Sequence, residues 1–228
     1  MHFELSHEHT MLKDLVGKFV RDQLIPLESS VLARESAGQG SYLNPDETAA
    51  VDAVSRELGL WGLDAPEEDG GMNLPMVAMV GVNEELGRTA VPYTLPPDSP
   101  NLRMLMVAAD ERQRAAYLEP YVRGETISAI GISEPGAGAD PAGMTTLAVE
   151  DGDDWIINGR KIWITRAAEA DFTILMAVTD RNPAGRNAMS AFLVDRDTPG
   201  FNVLRKIPMI DGTATYEIVL EDCRVPGW

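Results

Sequence analysis

Apolar residues recur every three or four positions in the first half of the chain and alternate in the second. Met11, Leu12, Leu15, Val16, Phe19 and Val20 repeat with a helical period behind a candidate cap, Ser6, and the pattern stops at Pro26. Asn44 followed by Pro45 reads as a cap with proline at the first helical position, and Val51, Val54 and Leu58 carry that helix to Gly59. Residues 74–86 form a third run, with Gly87 as its expected C′ residue. Asp98 is expected to begin a helix through Leu102, Leu105 and Met106. A last helix spans 111–122 and is interrupted at Pro120. Each run has one wet face, so these helices are expected to pack as a bundle.

The texture changes near Thr126. Short β-rich runs then alternate with turn residues, at 126–132, 144–150, 155–157, 161–165, 172–178, 190–195, 202–207 and 215–221. Asn158-Gly159 lies between two such runs and signals a hairpin turn. The stretch 182–186 reads as an exposed hairpin loop. Many short strands with no helices between them point to an antiparallel sandwich or barrel. The expected fold class is therefore α+β, with an all-α helical bundle over 1–125 followed by an antiparallel β domain over 126–228.

The composition narrows the function classes. Apolar residues make up 44% of the 228, enough for a packed core in each of two modest domains. The net charge of −17, with no basic stripe, excludes nucleic acid as a partner. Cys223 is the only cysteine, so no disulfide forms within the chain. The first residues lack the basic and apolar regions of a secretory signal, and no apolar run is long enough to span a bilayer. The cytoplasm is the default expectation. His2, His7 and His9 are the only histidines, and no cluster completes a metal site. No nucleophile elbow of the G-x-S-x-G kind is present.

Two blocks carry candidate chemistry. The first is Ile130-Gly-Ile-Ser-Glu-Pro-Gly-Ala-Gly-Ala-Asp140. As a dinucleotide fingerprint it fails, because the third glycine position is Pro141 and no helix follows. As a ligand turn it is apt. Gly136 and Gly138 permit unusual backbone conformations and close approach, turn amides favour anionic or carbonyl oxygens, and Ser133 adds a hydroxyl. A plain Pro-Gly connection between strands is the competing reading. The second block ends in Trp163-Ile164-Thr165. Trp163 and Thr165 are two apart on an expected strand and so share a face, where one could stack on a flat ring and the other donate a hydrogen bond. Alone, Trp163 reads first as a core aromatic and Thr165 as an ordinary strand residue.

Together the blocks resemble the acyl-CoA dehydrogenase family, with its T/S-E-P-G-A-G-S-D turn followed by a G-x-K-x-W-I-T strand. The resemblance extends to Thr198-Pro-Gly-Phe201 and to the run from Thr215 to Pro226. Upstream it takes in the segments at 57–63, 66–71 and 84–87, so it covers essentially the whole chain. It implies FAD as cofactor and an acyl-CoA thioester as substrate. Ile130, Gly131, Ile132 and Ser133 are then expected at the flavin ring. Gly138 and Ala139 are expected near the pyrophosphate or the substrate's CoA portion, and Trp163, Ile164 and Thr165 close the flavin pocket. Ala139 stands where the family usually has serine, Arg166 where it commonly has asparagine, and Ile130 where an aromatic is frequent. These departures bear on the substrate class more than on the fold.

In the family the base that takes the α-proton is a glutamate on a C-terminal helical domain, and no glutamate here matches it. The resemblance thus implies α,β-dehydrogenation of an acyl-CoA, an oxidoreductase of fatty acid metabolism, with the base outside these residues and the 228 residues alone inactive. It also implies an electron-transfer flavoprotein as partner and a homo- or hetero-oligomer. Two alternatives stand beside it. One is a flavin- or acyl-CoA-binding or interaction module without dehydrogenase chemistry. The other is a flavin-dependent hydroxylase or oxidase of the same fold.

Overall fold

A computed structural model describes residues 4–97, 99–182, 187–210 and 213–228. The described residues form two compact units, one of those up to 125 with 210 and 213, the other of those from 126 to 209 with 214–228. The expected helix start at Asp98, most of the expected loop at 182–186, and His2 lie outside the described residues.

The helical unit follows the apolar period. Helix α1 (His7–Phe19) starts at Ser6, whose Oγ accepts the His9 N–H at 3.1 Å. It does not stop at Pro26. A π-helical turn (Val20–Leu24) and a 3-10 turn (Ile25–Leu27) carry the chain into α2 (Glu28–Ser36). Sequence reading missed α2 because only Val31 of its nine residues is buried, leaving almost no period to read. Helix α3 (Pro45–Glu57) has a full capping box: Asn44 and Glu47 exchange backbone and side-chain bonds, each 2.9 Å. Helix α4 (Met76–Leu86) ends at Gly87, which has φ −71° and is not the left-handed C′ residue expected. Helix α5 (Ser99–Ala108) precedes a last, compound helix. In it, α6 (Glu111–Gln113) and α7 (Glu119–Val122) are joined by a π turn (Arg114–Leu118), which accommodates Pro120 without breaking the run. Val16, Val20, Leu24, Leu60 and Val82 are among the core of this unit.

A polar network sits inside it. Trp61 Nε1 donates to Ser55 Oγ at 2.8 Å, Tyr93 shares a 2.9 Å bond with the same hydroxyl, and Tyr93 donates to Asp52 at 2.8 Å. Burial, above all, raises the Tyr93 hydroxyl pKa well beyond its usual value.

The second unit is one sheet of seven strands. These are β1 (Ser128–Gly131), β2 (Leu147–Asp151), β3 (Asp154–Thr165), β4 (Phe172–Asp180), β5 (Ala188–Asp195), β6 (Phe201–Pro208) and β7 (Ala214–Pro226). The order is β1-β4-β2-β3-β7-β6, with β5 on β4. A single apolar core draws on all seven strands, through Ala129, Ala148, Ile157, Leu175, Phe192 and Leu220 among others, so the sheet curls over itself. The sheet is mixed where an antiparallel one was expected: β1 and β2 both pair with β4 in parallel. Strands β1 and β2 are joined by the long excursion 132–146, which lets β2 return in the direction of β1.

Asn158-Gly159 is not a hairpin turn. β3 runs straight through it, and the turn lies at Gly152-Asp153, between paired Asp151 and Asp154. At 158 the ladder with β7 slips, and Asn158 and Asp222 close the irregularity with reciprocal bonds of 3.1 and 2.8 Å. Gly159 is needed for closeness: a Cβ there would lie 2.4 Å from Thr146 Oγ1.

Candidate functional site

The site grows from two irregularities placed side by side. The first is in β3. Lys161 pairs with Ile218 and Ile164 with Tyr216, so Ile162 and Trp163 together oppose the single residue Glu217. This bulge puts Trp163 at φ 65°, a left-handed conformation costly for a residue with a Cβ. Trp163 is 55% exposed, which removes the core-aromatic reading. Ile164 is buried and packs in the β core, while Thr165, the next residue, is exposed. Glu217 anchors the strand opposite the bulge. Arg160 of β3 and Arg205 of β6 both donate to its buried carboxylate, and those bonds, Arg160 first, hold its pKa below the usual value.

Past Thr165, Arg166 is also left-handed, φ 61°. Its carbonyl accepts from Glu169 and Ala170 at 3.0 and 2.8 Å, and Tyr216 Oη donates to Glu169 at 2.6 Å, closing the turn behind the site.

The second irregularity is the turn after β1. Glu134 and Ala137 exchange backbone bonds of 2.8 and 3.2 Å around Pro135-Gly136. The Glu134 side chain points inward, where it accepts from Thr145 N (2.7 Å), Thr145 Oγ1 (2.6 Å), Thr146 N (2.9 Å) and Lys161 Nζ (2.9 Å). Burial alone would raise this carboxyl; the bonds from Thr145, Thr146 and Lys161 overcome it and hold the pKa at about 2. Lys161 Nζ also donates to the Ile132 carbonyl at 3.1 Å.

These contacts bring Ile132 and Ser133 to β3. The Ser133 carbonyl accepts from Ile162 N at 3.0 Å, one residue from Trp163. Ile130 is half-buried on β1, and Gly131 is buried there because a Cβ would meet Leu175 Cδ1 at 2.9 Å. Gly138 and Ala139 are exposed beyond the turn, and among the described residues no backbone bond ties them to β3. Neither Gly136 nor Gly138 is left-handed, contrary to the conformational reading of the sequence, and among the described residues a Cβ on either would meet no atom within 4 Å beyond its chain neighbours. What they leave is open space above the turn, as a ligand approach requires.

Sequence reading singled out Trp163, Thr165 and Ser133 but not the pair beneath them. Glu134 and Lys161 were visible only as motif letters. Their immediate neighbours, Ser133 and Pro135 for Glu134 and Arg160 and Ile162 for Lys161, give no local sign of burial, because the pairing joins positions 27 residues apart.

An exposed Trp on a bulge, an adjacent Thr, a half-exposed Ser and an open glycine turn suit a flat ring with polar edges. Residues 6–125 match the description "Acyl-CoA dehydrogenase, N-terminal domain", and residues 129–223 match "Acyl-CoA dehydrogenase, middle domain". The (R)-benzylsuccinyl-CoA dehydrogenase of Thauera aromatica is 38% identical over 99% of this chain and 58% of its own length. A chain in the structure of the electron transferring flavoprotein of Acidaminococcus fermentans superposes with TM-score 0.79 at 30% identity, covering 100% of this chain and 58% of that one. A glutaryl-CoA dehydrogenase from Mycobacterium smegmatis, solved in complex with FADH2, gives 0.78 at 26%, covering 98% of this chain and 55% of that one. The chain thus spans little more than half the length of these relatives. With both of its units matched, the chain belongs to the acyl-CoA dehydrogenase family.

Proposed function

We propose that this chain holds FAD between the 132–139 turn and the Trp163–Thr165 bulge, in the service of α,β-dehydrogenation of an acyl-CoA thioester. The observation that carries the reading is Trp163, an exposed aromatic held in a left-handed bulge that the β core alone gives no reason to keep. Trp163 stacks on the ring. Thr165 and Ser133 supply polar contacts at its edges, and the exposed backbone at Gly138 and Ala139 accepts the pyrophosphate or the CoA portion of the substrate. FAD, when bound, supplies the hydride acceptor for the substrate's β-carbon. The chain's own share of the chemistry is to bind, orient and shield. No residue described here is assigned as the base for the α-proton. Ala139 offers no hydroxyl to the ligand, which fits an acyl-CoA outside the family's commonest substrates.

The first test is titration of the intact chain with FAD, followed by flavin fluorescence. The second is a panel of short, branched, aromatic and dicarboxylic acyl-CoAs assayed with a dye acceptor, on this chain alone and on a form joined to a helical domain carrying a candidate glutamate. FAD binding by the chain, with turnover only in the joined form and electrons passed on to an electron-transfer flavoprotein, is the expected result. Turnover by the chain alone would place the base within these residues. Failure to bind FAD would favour an interaction module, and oxygen-dependent product in place of the enoyl-CoA would favour a hydroxylase or oxidase.

A further inference from the structure

We infer that the buried Glu134–Lys161 pair is a positioning device, a latch that fixes the 132–137 turn on β3 and aims the Ser133 N–H outward as a ligand donor. The inference rests on the proposed FAD site. The geometry is all within the β unit. Lys161 Nζ lies between Glu134 Oε1 and the Ile132 carbonyl, at 2.9 and 3.1 Å. Its side chain is fully buried, and that of Glu134 is 2% exposed.

A peptide unit is planar and trans, so its C=O and N–H point in opposite directions. Drawing the Ile132 carbonyl inward to Lys161 therefore turns the Ser133 N–H away from Lys161. Among the described residues that N–H has no acceptor. The next peptide is held as well, through the Ser133 carbonyl on Ile162 N at 3.0 Å. One lysine thus sets the facing of the turn's free donor, and the neighbouring β3 bond sets its distance from Trp163.

The carboxylate has donors besides Lys161. Glu134 takes three further donors from Thr145 and Thr146, so the carboxylate is fixed from the far side of the 137–144 loop. Gly131 packs beside the pair: a Cβ there would press on Leu175 Cδ1 at 2.9 Å, while Lys161 Cγ would lie at an ordinary contact distance of 3.7 Å. A buried ion pair contributes little net stability compared with an apolar pair of the same shape. What it supplies is direction, because an apolar pair would leave the Ile132 carbonyl without a donor and free to rotate.

The test removes both charges together, so that neither is left buried alone. In the intact chain carrying Glu134→Gln with Lys161→Met, amide exchange at Ala137 and Ile162 should accelerate about tenfold or more, the loss expected for one well-made hydrogen bond. The FAD dissociation constant should rise about tenfold, on the same basis. Ile157→Val trims the β core without touching the turn. It should lower the melting temperature and leave FAD affinity unchanged, which a merely structural role for the pair would not separate. Thr145→Val removes only the Oγ1 donor to Glu134 and covers the case in which the double variant does not fold. It should move exchange and affinity in the same direction by about two- to threefold. Faster exchange with FAD affinity equal to the parent's would overturn the inference, as would unchanged exchange at Ala137 and Ile162. A parent chain with no FAD affinity would sink the proposed function instead, and exchange would then still decide whether the latch exists.

Discussion

At Trp163 the left-handed backbone costs about 1–2 kcal/mol, and the indole recovers little of it by burial because more than half of it faces solvent. Trp163→Ala should therefore leave the urea midpoint nearly unchanged, whereas a buried Trp would lose about 3–5 kcal/mol. The same variant should weaken FAD binding by the worth of one stacked aromatic, about 0.5–1.5 kcal/mol. A large stability loss with intact FAD affinity would return Trp163 to the core. Arg166 poses the opposite case. It too is left-handed, φ 61°, but no side-chain partner compensates it among the described residues. Asparagine tolerates that region, so Arg166→Asn should stabilise the chain by roughly 0.5–1 kcal/mol in chemical denaturation. Glu134 adds a pH dependence of fixed sign. Its folded-state pKa is depressed from 4.5 to about 2, so its contribution is complete above 4.5 and disappears as pH falls toward 2. Other carboxylates are also depressed, Glu28 and Glu47 among them, so the parent must be compared with Glu134→Gln. The stability difference between the two should shrink steadily from pH 5 to pH 2. A difference that stays constant would show that Glu134 does not bear charge in the fold.

At the scale of elements, β3 decides the site. Its bulge aims Trp163, its Lys161 holds the turn, and its contact at Gly159 brings β2's approach segment against it. Gly159→Ala forces a Cβ to within 2.7 Å of the Thr146 backbone, a contact that cannot be relieved by a rotamer change. It should cost about 2–3 kcal/mol and weaken FAD binding with it, because Thr146 N is a donor to Glu134. A Gly159→Ala chain with parental stability would mean that 146 and 159 do not meet. The elements differ in how far the sequence reveals them. The caps at Ser6 and Asn44 were legible because the capping side chain and the apolar period sit next to each other in the chain. The strands were legible by alternation, and Trp163 and Thr165 are both exposed, either side of buried Ile164. What was hidden depends on partners remote in sequence. Asn158-Gly159 has the letters of a hairpin turn, yet β7 supplies Asp222 to hold it extended. The bulge at Trp163 arises from register against β7, and the parallel pairing of β1 and β2 with β4 arises from the long 132–146 excursion. Helix α2 escaped for a local reason, since a helix with one buried residue has no period.

At the scale of the whole molecule, charge sets how ligands arrive. FAD and acyl-CoA both carry negative phosphates, and this chain carries a net charge of −17 at pH 7. Its field therefore repels the ligands that the site is proposed to bind. At low ionic strength the repulsion reaches about 30 Å from the surface, and at physiological salt about 8 Å. Recognition then rests on short-range groups, among them the turn amides, the open face over Gly136 and Gly138, and the stacked indole, and not on steering. It follows that the association rate of FAD should rise with added salt, the reverse of the behaviour of a basic phosphate-binding groove. Stopped-flow quenching of flavin fluorescence at low and at physiological sodium chloride measures this directly. Because the bound contacts are short-range, the dissociation rate should change far less, so affinity should improve as salt is added. An association rate that falls with salt would mean that local positive charge, with Arg166 beside the bulge as the first group to test, draws the ligand in against the net charge, and the substitution Arg166→Asn would then slow binding.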